Sequence, residues 1–483
     1  MNIDLLNIFT HIILVMSLGW YLITNLQWYN YKLERVILKH HKVQWHIVYF
    51  LTPVVLYFIL SPINFLYFAG YFYILYLTSF ILWNRGLDKP LVLTKRVQRF
   101  LGILLFVTFA VEGLCLASGQ CKNLGVLAPL LITYIISMGL EKIFFLSYKD
   151  RAKKRLDYMK DLTIVAITAS FGKTSIKNYL YQVLEGKYRT YKTPRSVNTI
   201  GGIIKDINED IPLDTQVYIA EAGAREKGDI GEIATFLNPQ YTIIGSVGEQ
   251  HIEYFKTLDN IIHTKMELLQ SKRLVHGFVH ESVPLLDYPN ITKFPDGLNI
   301  VKSNLDGIWF DMKIEGKEYH FHAPILGEFN AINLAAVILM AHKLGMSIEE
   351  IKIALHKIKP VDHRLQLIKA GGKLILDDSF NGNLEGMLEG VKLASTYDDR
   401  RVLVTPGLVE STVEANTTFA KAADDIFDIV IITGSLNANV LSQNLKKPKV
   451  YKLADKAQLE STLARETKAG DLILFANDAP NFI

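Results

Sequence analysis

Gly172, Lys173, Thr174 and Ser175 follow directly on the apolar run "LTIVAIT" at 162–168 and lead into the helical pattern "TSIKNYLYQVL". A strand that feeds a glycine turn and then a helix N-terminus is an arrangement that can hold phosphate. Backbone N–H groups and the helix dipole face the anion, and the lysine adds a point charge. The Thr174 hydroxyl stands where it can reach Mg²⁺. The strict spacing G-x-x-x-x-G-K-[ST] is not met, because position 167 is isoleucine. Three residues downstream offer complementary chemistry. Glu221 closes a strand-like run, which places a carboxylate at the C-terminal edge of a sheet, where nucleotide sites sit. His251 comes shortly after a second such run, and Lys265 falls on a helical stretch behind it. Taken singly, each has an ordinary reading: a helix-pairing carboxylate, a surface histidine, a solvated lysine.

The elements that must position these residues alternate between strand and helix. Strand patterns at 187–192, 217–221 and 241–246 are separated by helical stretches near 228–237 and 258–271, which predicts a doubly wound parallel sheet. Residues 298–322 read instead as short antiparallel strands around a Glu-Gly turn. A helical pair at 330–344 and 348–358 ends before Pro360, and from 373 a second α/β series begins: "KLILDD", a helix near 384–395, "RRVLVTP", "DIVIIT" and "DLILFA". The expected organisation is a region 1–150, a central α/β domain 151–360 and a smaller, Rossmann-like α/β domain 361–483. There is no internal repeat and no low-complexity segment.

The first third differs in kind. Runs at 5–26, 45–60, 65–84, 100–117 and 124–142 mostly approach the roughly 20 apolar residues that cross a bilayer. Lys32, Arg35, Lys39 and Lys42 lie in the first connection. Arg85, Lys89, Lys95, Arg96 and Arg99 lie in the third, and Lys149, Arg151, Lys153, Lys154 and Arg155 follow the last run. The alternate connections, "SPIN" and "SGQCKN", hold one lysine between them. The positive-inside bias therefore predicts a multi-pass α-helical membrane region of five spans in the cytoplasmic (inner) membrane. The N-terminus is outside and everything after about 145 is in the cytoplasm. The basic segments read first as topology signals, and second as contacts for anionic membrane lipid. Glu112 is the acidic residue well inside a run and is a functional candidate on that ground, or else a snorkelling or satisfied carboxylate. The two cysteines, Cys115 and Cys121, exclude a disulfide framework and have no metal-ligand spacing, and a net charge of +4 demands no nucleic acid.

Together the motifs resemble the Mur ligase family. That family's T-G-S-x-G-K-T-[ST] loop is similar to Thr168, Ala169, Ser170, Phe171, Gly172, Lys173, Thr174 and Ser175, with Ala169 in place of a glycine. Its E-x-G-A…G-E-I is similar to "EAGAREKGDIGEI", N-I-G-x-A-H-x-E to "SVGEQHIE", A-K-x-E-[IL] to "TKMEL", G-x-H-N-x-x-N-x-x-A to "GEFNAINLAA", and D-D-x-Y-N-A-N-P to "DDSFNGNL". The resemblance covers about 160 to 477, and the order of motifs is most similar to that of members that add D-alanyl-D-alanine to a UDP-linked muramoyl tripeptide.

The resemblance implies an ATP-dependent amide ligase of peptidoglycan precursor synthesis, working through an acyl phosphate with Mg²⁺. It implies that Lys173 and the loop amides hold the ATP phosphates, and that Thr174, Glu221, His251 and a carbamylated Lys265 bind the metal. Asn330, Arg364 and Asp378 would reach the nucleotide. Thr193, Asn198, Asn381 and Asn383 stand where the family's asparagine-rich motifs touch substrate. The family's UDP-binding N-terminal domain is replaced by the apolar region, so a lipid-linked or other carboxylate is the alternative acceptor. A phosphate-loop membrane ATPase is a further reading; the absence of rows of intramembrane charge weighs against it.

Overall fold

A computed structural model describes residues 3–38, 40, 42–87, 89–118, 125–248, 255–284, 288, 290–379, 383–409, 411–453 and 455–477. The chain divides into two compact units, Met1–Lys149 and Asp150–Ile483.

The first unit is helical. Among the described residues, five stretches are long and apolar enough to cross a membrane: Leu5–Trp28, Gln44–Ile63, Phe65–Arg85, Lys95–Ala117 and Leu127–Tyr158. The second and third are separated by Asn64 alone, which is extended and accepts a hydrogen bond from the Leu66 N–H, so "SPIN" is a tight break. The last helix runs past 142 to Tyr158 and carries the basic segment in helical form. Leu14, Leu18, Phe68, Phe72 and Leu104 are fully buried, yet Ile74, Phe106 and Leu131 face outward with most of their surface exposed. Glu112 does not snorkel: it is buried and paired with the buried His11. Cys115 is disulfide-bonded, a single bridge rather than a framework.

The second unit is built on two six-stranded sheets and a three-stranded one. In the first, β1 (Thr163–Thr168), β2 (Thr190–Lys192), β3 (Val217–Glu221), β4 (Tyr241–Ile244), β5 (His276–His280) and β6 (Ile291–Phe294) are all parallel, in the order β2-β3-β1-β4-β5-β6. Strand β1 is central and its last five residues are buried, which is why it reads as a continuous apolar run. The meander β7 (Asn299–Asn304), β8 (Gly307–Ile314) and β9 (Lys317–Ala323) follows, with Glu315 and Gly316 both at positive φ in the β8–β9 turn. The helix Phe329–Lys343 is apolar on most of its surface and shares one core with the helix Lys173–Leu184 behind β1.

The last sheet contains β10 (Gln366–Ala370), β11 (Lys373–Asp378), β12 (Arg401–Thr405), β13 (Ile429–Ile432), β14 (Lys449–Lys452) and β15 (Leu472–Ala476), in the order β10-β11-β15-β12-β13-β14. Only β10 is antiparallel to its neighbour.

Candidate active site

The turn after β1 is shaped by one glycine. Gly172 has φ +79°, and a Cβ there would lie 2.3 Å from Asn333 Oδ1, so both the backbone and the neighbouring helix exclude a side chain. Helix Lys173–Leu184 starts at the next residue, and its first N–H groups lack intrahelical partners. Not every loop amide is available. The N–H groups of Ser170 and Phe171 both donate to the Ser246 carbonyl, at 2.8 and 3.4 Å, and Ser170 Oγ donates to Gly248 O. The anion-holding face is thus the helix start rather than the whole loop. Ala169 is fully buried, and a Cβ added at Gly245 would lie 3.0 Å from its Cβ. Thr168 Oγ1 is buried without a hydrogen-bond partner among the described residues, and Ser175 is buried in the first helical turn.

Lys173 folds back over the turn, its Nζ donating to the carbonyls of Ala169 (2.6 Å) and Ser170 (3.0 Å). Burial pulls its ammonium down to about 8, against the pull of Glu221 and with the push of Arg364. Glu221 ends β3, one strand over, and gathers a ring of donors. Thr174 Oγ1 is 3.1 Å from Oε2, Asn198 Nδ2 is 3.1 Å from Oε1, and Lys177 Nζ is 3.0 Å from Oε2 in a fully buried ion pair. The Thr193 hydroxyl accepts the Glu221 N–H, which fixes the strand end. Lys177 was not singled out in the sequence, although it lies one helical turn beyond Lys173 and three residues beyond Thr174, on their face.

Lys265 lies near the end of the helix Leu258–Met266 and is 4 % exposed. Burial, with Lys173 nearby and Glu221 opposing, lowers its amine to about 7. The neighbouring Glu267 acts elsewhere, and its carboxylate accepts the N–H groups of Gly228 (2.8 Å) and Gly231 (2.9 Å), closing the N-terminus of the helix Asp229–Leu237. The "GDIGEI" and "TKMEL" stretches are thus joined by one contact.

From the last sheet, Arg364 comes within electrostatic reach of Asp378, Glu221, Tyr179 and Lys173, and burial lowers its guanidinium. Asp378 Oδ1 accepts the Leu365 N–H. Asn330 is buried, bonded to Leu326 O and to Asn333 Nδ2, and so orients the side chain that meets Gly172. Asn383 caps the helix Leu384–Ser395 through the Gly386 N–H. His363, adjacent to Arg364, is held 2.7 Å from the buried Asp377, which Ser379 also ligates. His251 and Asn381 lie outside the described residues.

A phosphate-type loop, a strand-end carboxylate and three lysines, with an arginine delivered from the second α/β sheet, make up a candidate nucleotide-binding site. Residues 167–282 match the family model described as the Mur ligase middle domain. The UDP-N-acetylmuramoyl-tripeptide--D-alanyl-D-alanine ligase of Bacillus subtilis (strain 168) is 27 % identical over 341 residues, covering 66 % of this chain and 74 % of that protein. The same-named protein of Borreliella burgdorferi is 32 % identical over 234 residues, 46 % of this chain and 50 % of the relative. Among solved structures, the MurF ligase of Thermotoga maritima in complex with ADP aligns with a TM-score of 0.58 and 21 % identity, over 69 % of this chain and 80 % of that one. That likeness is one of fold.

Proposed function

We propose that the chain is an ATP-dependent, ADP-forming peptide ligase of peptidoglycan precursor synthesis that joins D-alanyl-D-alanine to a UDP-linked muramoyl tripeptide. The observation that carries this reading is the cluster of Lys173, Thr174, Lys177 and Lys265 around Glu221 at the C-terminal edge of a parallel sheet. The names of the relatives supply the substrate class.

The chemistry follows from the residue types. A carboxylate is a poor electrophile, so its oxygen first attacks the γ-phosphorus of ATP, giving an acyl phosphate and ADP. The amine then attacks the acyl carbon, loses a proton and expels phosphate. Lys173 and the helix N–H groups hold phosphate oxygens and offset the charge that builds on them during transfer. Arg364 reaches the same charge from the other sheet. The side-by-side oxygens of Thr174 and Glu221 suit a hard cation such as Mg²⁺, which would share Glu221 with the Lys177 ammonium. His251 and a carbamylated Lys265 would complete that set. Burial fits Lys265 to this role, because the neutral amine is the form that adds CO₂. Mg²⁺ there supplies Lewis-acid polarisation of the phosphoryl oxygens.

The five apolar helices support a membrane-anchored enzyme with the catalytic unit in the cytoplasm. The Cys115 disulfide supports the same topology, since the positive-inside bias puts that end of its helix outside, where disulfides persist. The same helices favour a second reading, in which the acceptor carboxylate is lipid-linked. Purified full-length enzyme with ATP, D-Ala-D-Ala and either UDP-muramoyl tripeptide or its lipid-linked counterpart, scored for ADP and product mass, decides between them. Product from neither acceptor overturns the ligase assignment.

A further inference from the structure

One end of the helical unit carries the basic segments, and there the helices Leu5–Trp28, Lys95–Ser118 and Leu127–Tyr158 leave an open cleft. Its lining includes Leu26, Tyr31, Arg96, Phe100, Tyr134 and Met138. Two guanidinium groups meet a single carboxylate beside it. Arg99 takes Glu141 with bonds of 3.0 and 2.5 Å to Oε1. Arg96 Nε stays 3.7 Å from Glu141 Oε2, beyond hydrogen-bond reach, and its guanidinium lies 3.6 Å from the centre of the Tyr31 ring. Among the described residues Arg96 donates no hydrogen bond, although guanidinium has five N–H groups to place.

The charged and titratable groups acting on Arg96 are Glu141, Arg99, Tyr31 and Tyr134, which leaves the mouth with a net positive charge. Arg96 is also the second residue of a 24-residue helix, whose dipole adds to that sign. Leu26 and Phe100 back the cleft but are themselves buried, Ser137 adds a polar side, and Met138 opens onto the outward apolar surface. A cation with unused donors at the mouth, and an apolar outer wall at the exposed Met138, suit one amphiphile with an anionic oxygen head. Free phosphate gains nothing from the wall, and a zwitterionic lipid brings its own cation against Arg96.

We propose that this cleft holds the phosphate headgroup of an anionic membrane lipid on Arg96, with the first methylenes of its chains along Met138. The proposal rests on the membrane reading of this unit and is independent of which acceptor the ligase uses. The test is native mass spectrometry of the full chain in neutral detergent, with phosphatidylglycerol or phosphatidylcholine of identical chains. Wild type is expected to retain phosphatidylglycerol preferentially. Arg96→Gln should cut that retention at least about tenfold, the loss of charge-assisted hydrogen bonds to the phosphate. Arg85→Gln, which removes a charge from the same end without touching the cleft, should cost no more than about fivefold, the worth of one basic side chain near a lipid surface.

Met138→Glu, which places a carboxylate at the mouth while Arg96 remains, should act like Arg96→Gln, and it decides the matter should Arg96→Gln melt well below wild type. Equal losses for Arg85→Gln and Arg96→Gln, no preference for phosphatidylglycerol, or its displacement by millimolar inorganic phosphate would each overturn the proposal. Failure of the membrane reading is seen separately, as full-length protein that stays in solution without detergent and binds neither lipid.

Discussion

Lys173 and Lys265 are buried around one carboxylate, and their environments set them to different protonation states near neutral pH. Lys265, lowered to about 7, is largely neutral at pH 8, whereas Lys173, lowered to about 8, keeps much of its charge at pH 7. A carbamate on Lys265 therefore requires pH above about 7, and ¹³C NMR with labelled bicarbonate should show its signal at pH 8 and lose it below pH 6.5. Lys265→Ala should be nearly inactive, with partial recovery on adding a short-chain carboxylate; wild-type turnover in that variant would rule the ligand role out. The same shift has a stability sign. The folded amine is depressed below its ordinary 10.5, so between about 7 and 10.5 the unfolded chain binds more protons and stability rises with pH. Lys265→Met should flatten that rise in denaturant titrations. Lys173→Ala should reduce turnover by orders of magnitude while the fold persists, since losing a charged transition-state contact costs several kcal/mol and each ~1.4 kcal/mol is tenfold in rate. Steady-state kinetics beside a circular-dichroism spectrum checks both halves of that statement.

Elements hold these side chains in register, and two single contacts show how. Gly172→Ala would force an L side chain into φ +79° and against Asn333, so the helix start must shift. The conformational part alone costs about 1–2 kcal/mol, and nucleotide titration should show at least a tenfold weaker Kd. Glu267→Ala removes the acceptor of the Gly228 and Gly231 N–H groups; Gly228 is exposed and Gly231 half-buried, so the loss is that of a helix cap, about 0.5–2 kcal/mol. Thermal melting should fall accordingly.

Much of this scaffold was legible in the sequence. Strand β1, the Glu315–Gly316 turn, β11 and the helix Leu384–Ser395 stand where apolar runs, turn residues and helical periodicity put them. Other parts were hidden for physical reasons. Strands β5 and β6 contain histidines and lysine in short runs, and β10 and β14 are half-exposed, so neither apolar continuity nor alternation marks them. The Ser246 carbonyl's capture of two loop amides, and the Lys177–Glu221 pair, join residues far apart in the chain, which periodicity cannot show. The motif order found the neighbourhood of Glu221; the partners that fill it needed coordinates.

At the scale of the molecule, two units of opposite surface character share one chain, the first with large apolar side chains facing outward and the second with an ordinary polar exterior. A cytoplasmic reporter fused after residue 150 should be active and an exported-only reporter silent; the reverse pattern would contradict the proposed topology. The boundary between the units, at Lys149 and Asp150, falls inside the continuous helix Leu127–Tyr158 rather than in a loop. Beyond it, Arg151 binds Asn208 Oδ1 and Arg155 binds the Ile211 carbonyl, so the helix end is stitched to the catalytic unit. Proteases need a locally unfolded segment, and a helix tied down at its end supplies none. Limited trypsinolysis should therefore spare the basic cluster from Lys149 to Arg155, and soluble fragments begun after Tyr158 should melt lower than those begun at Asp150.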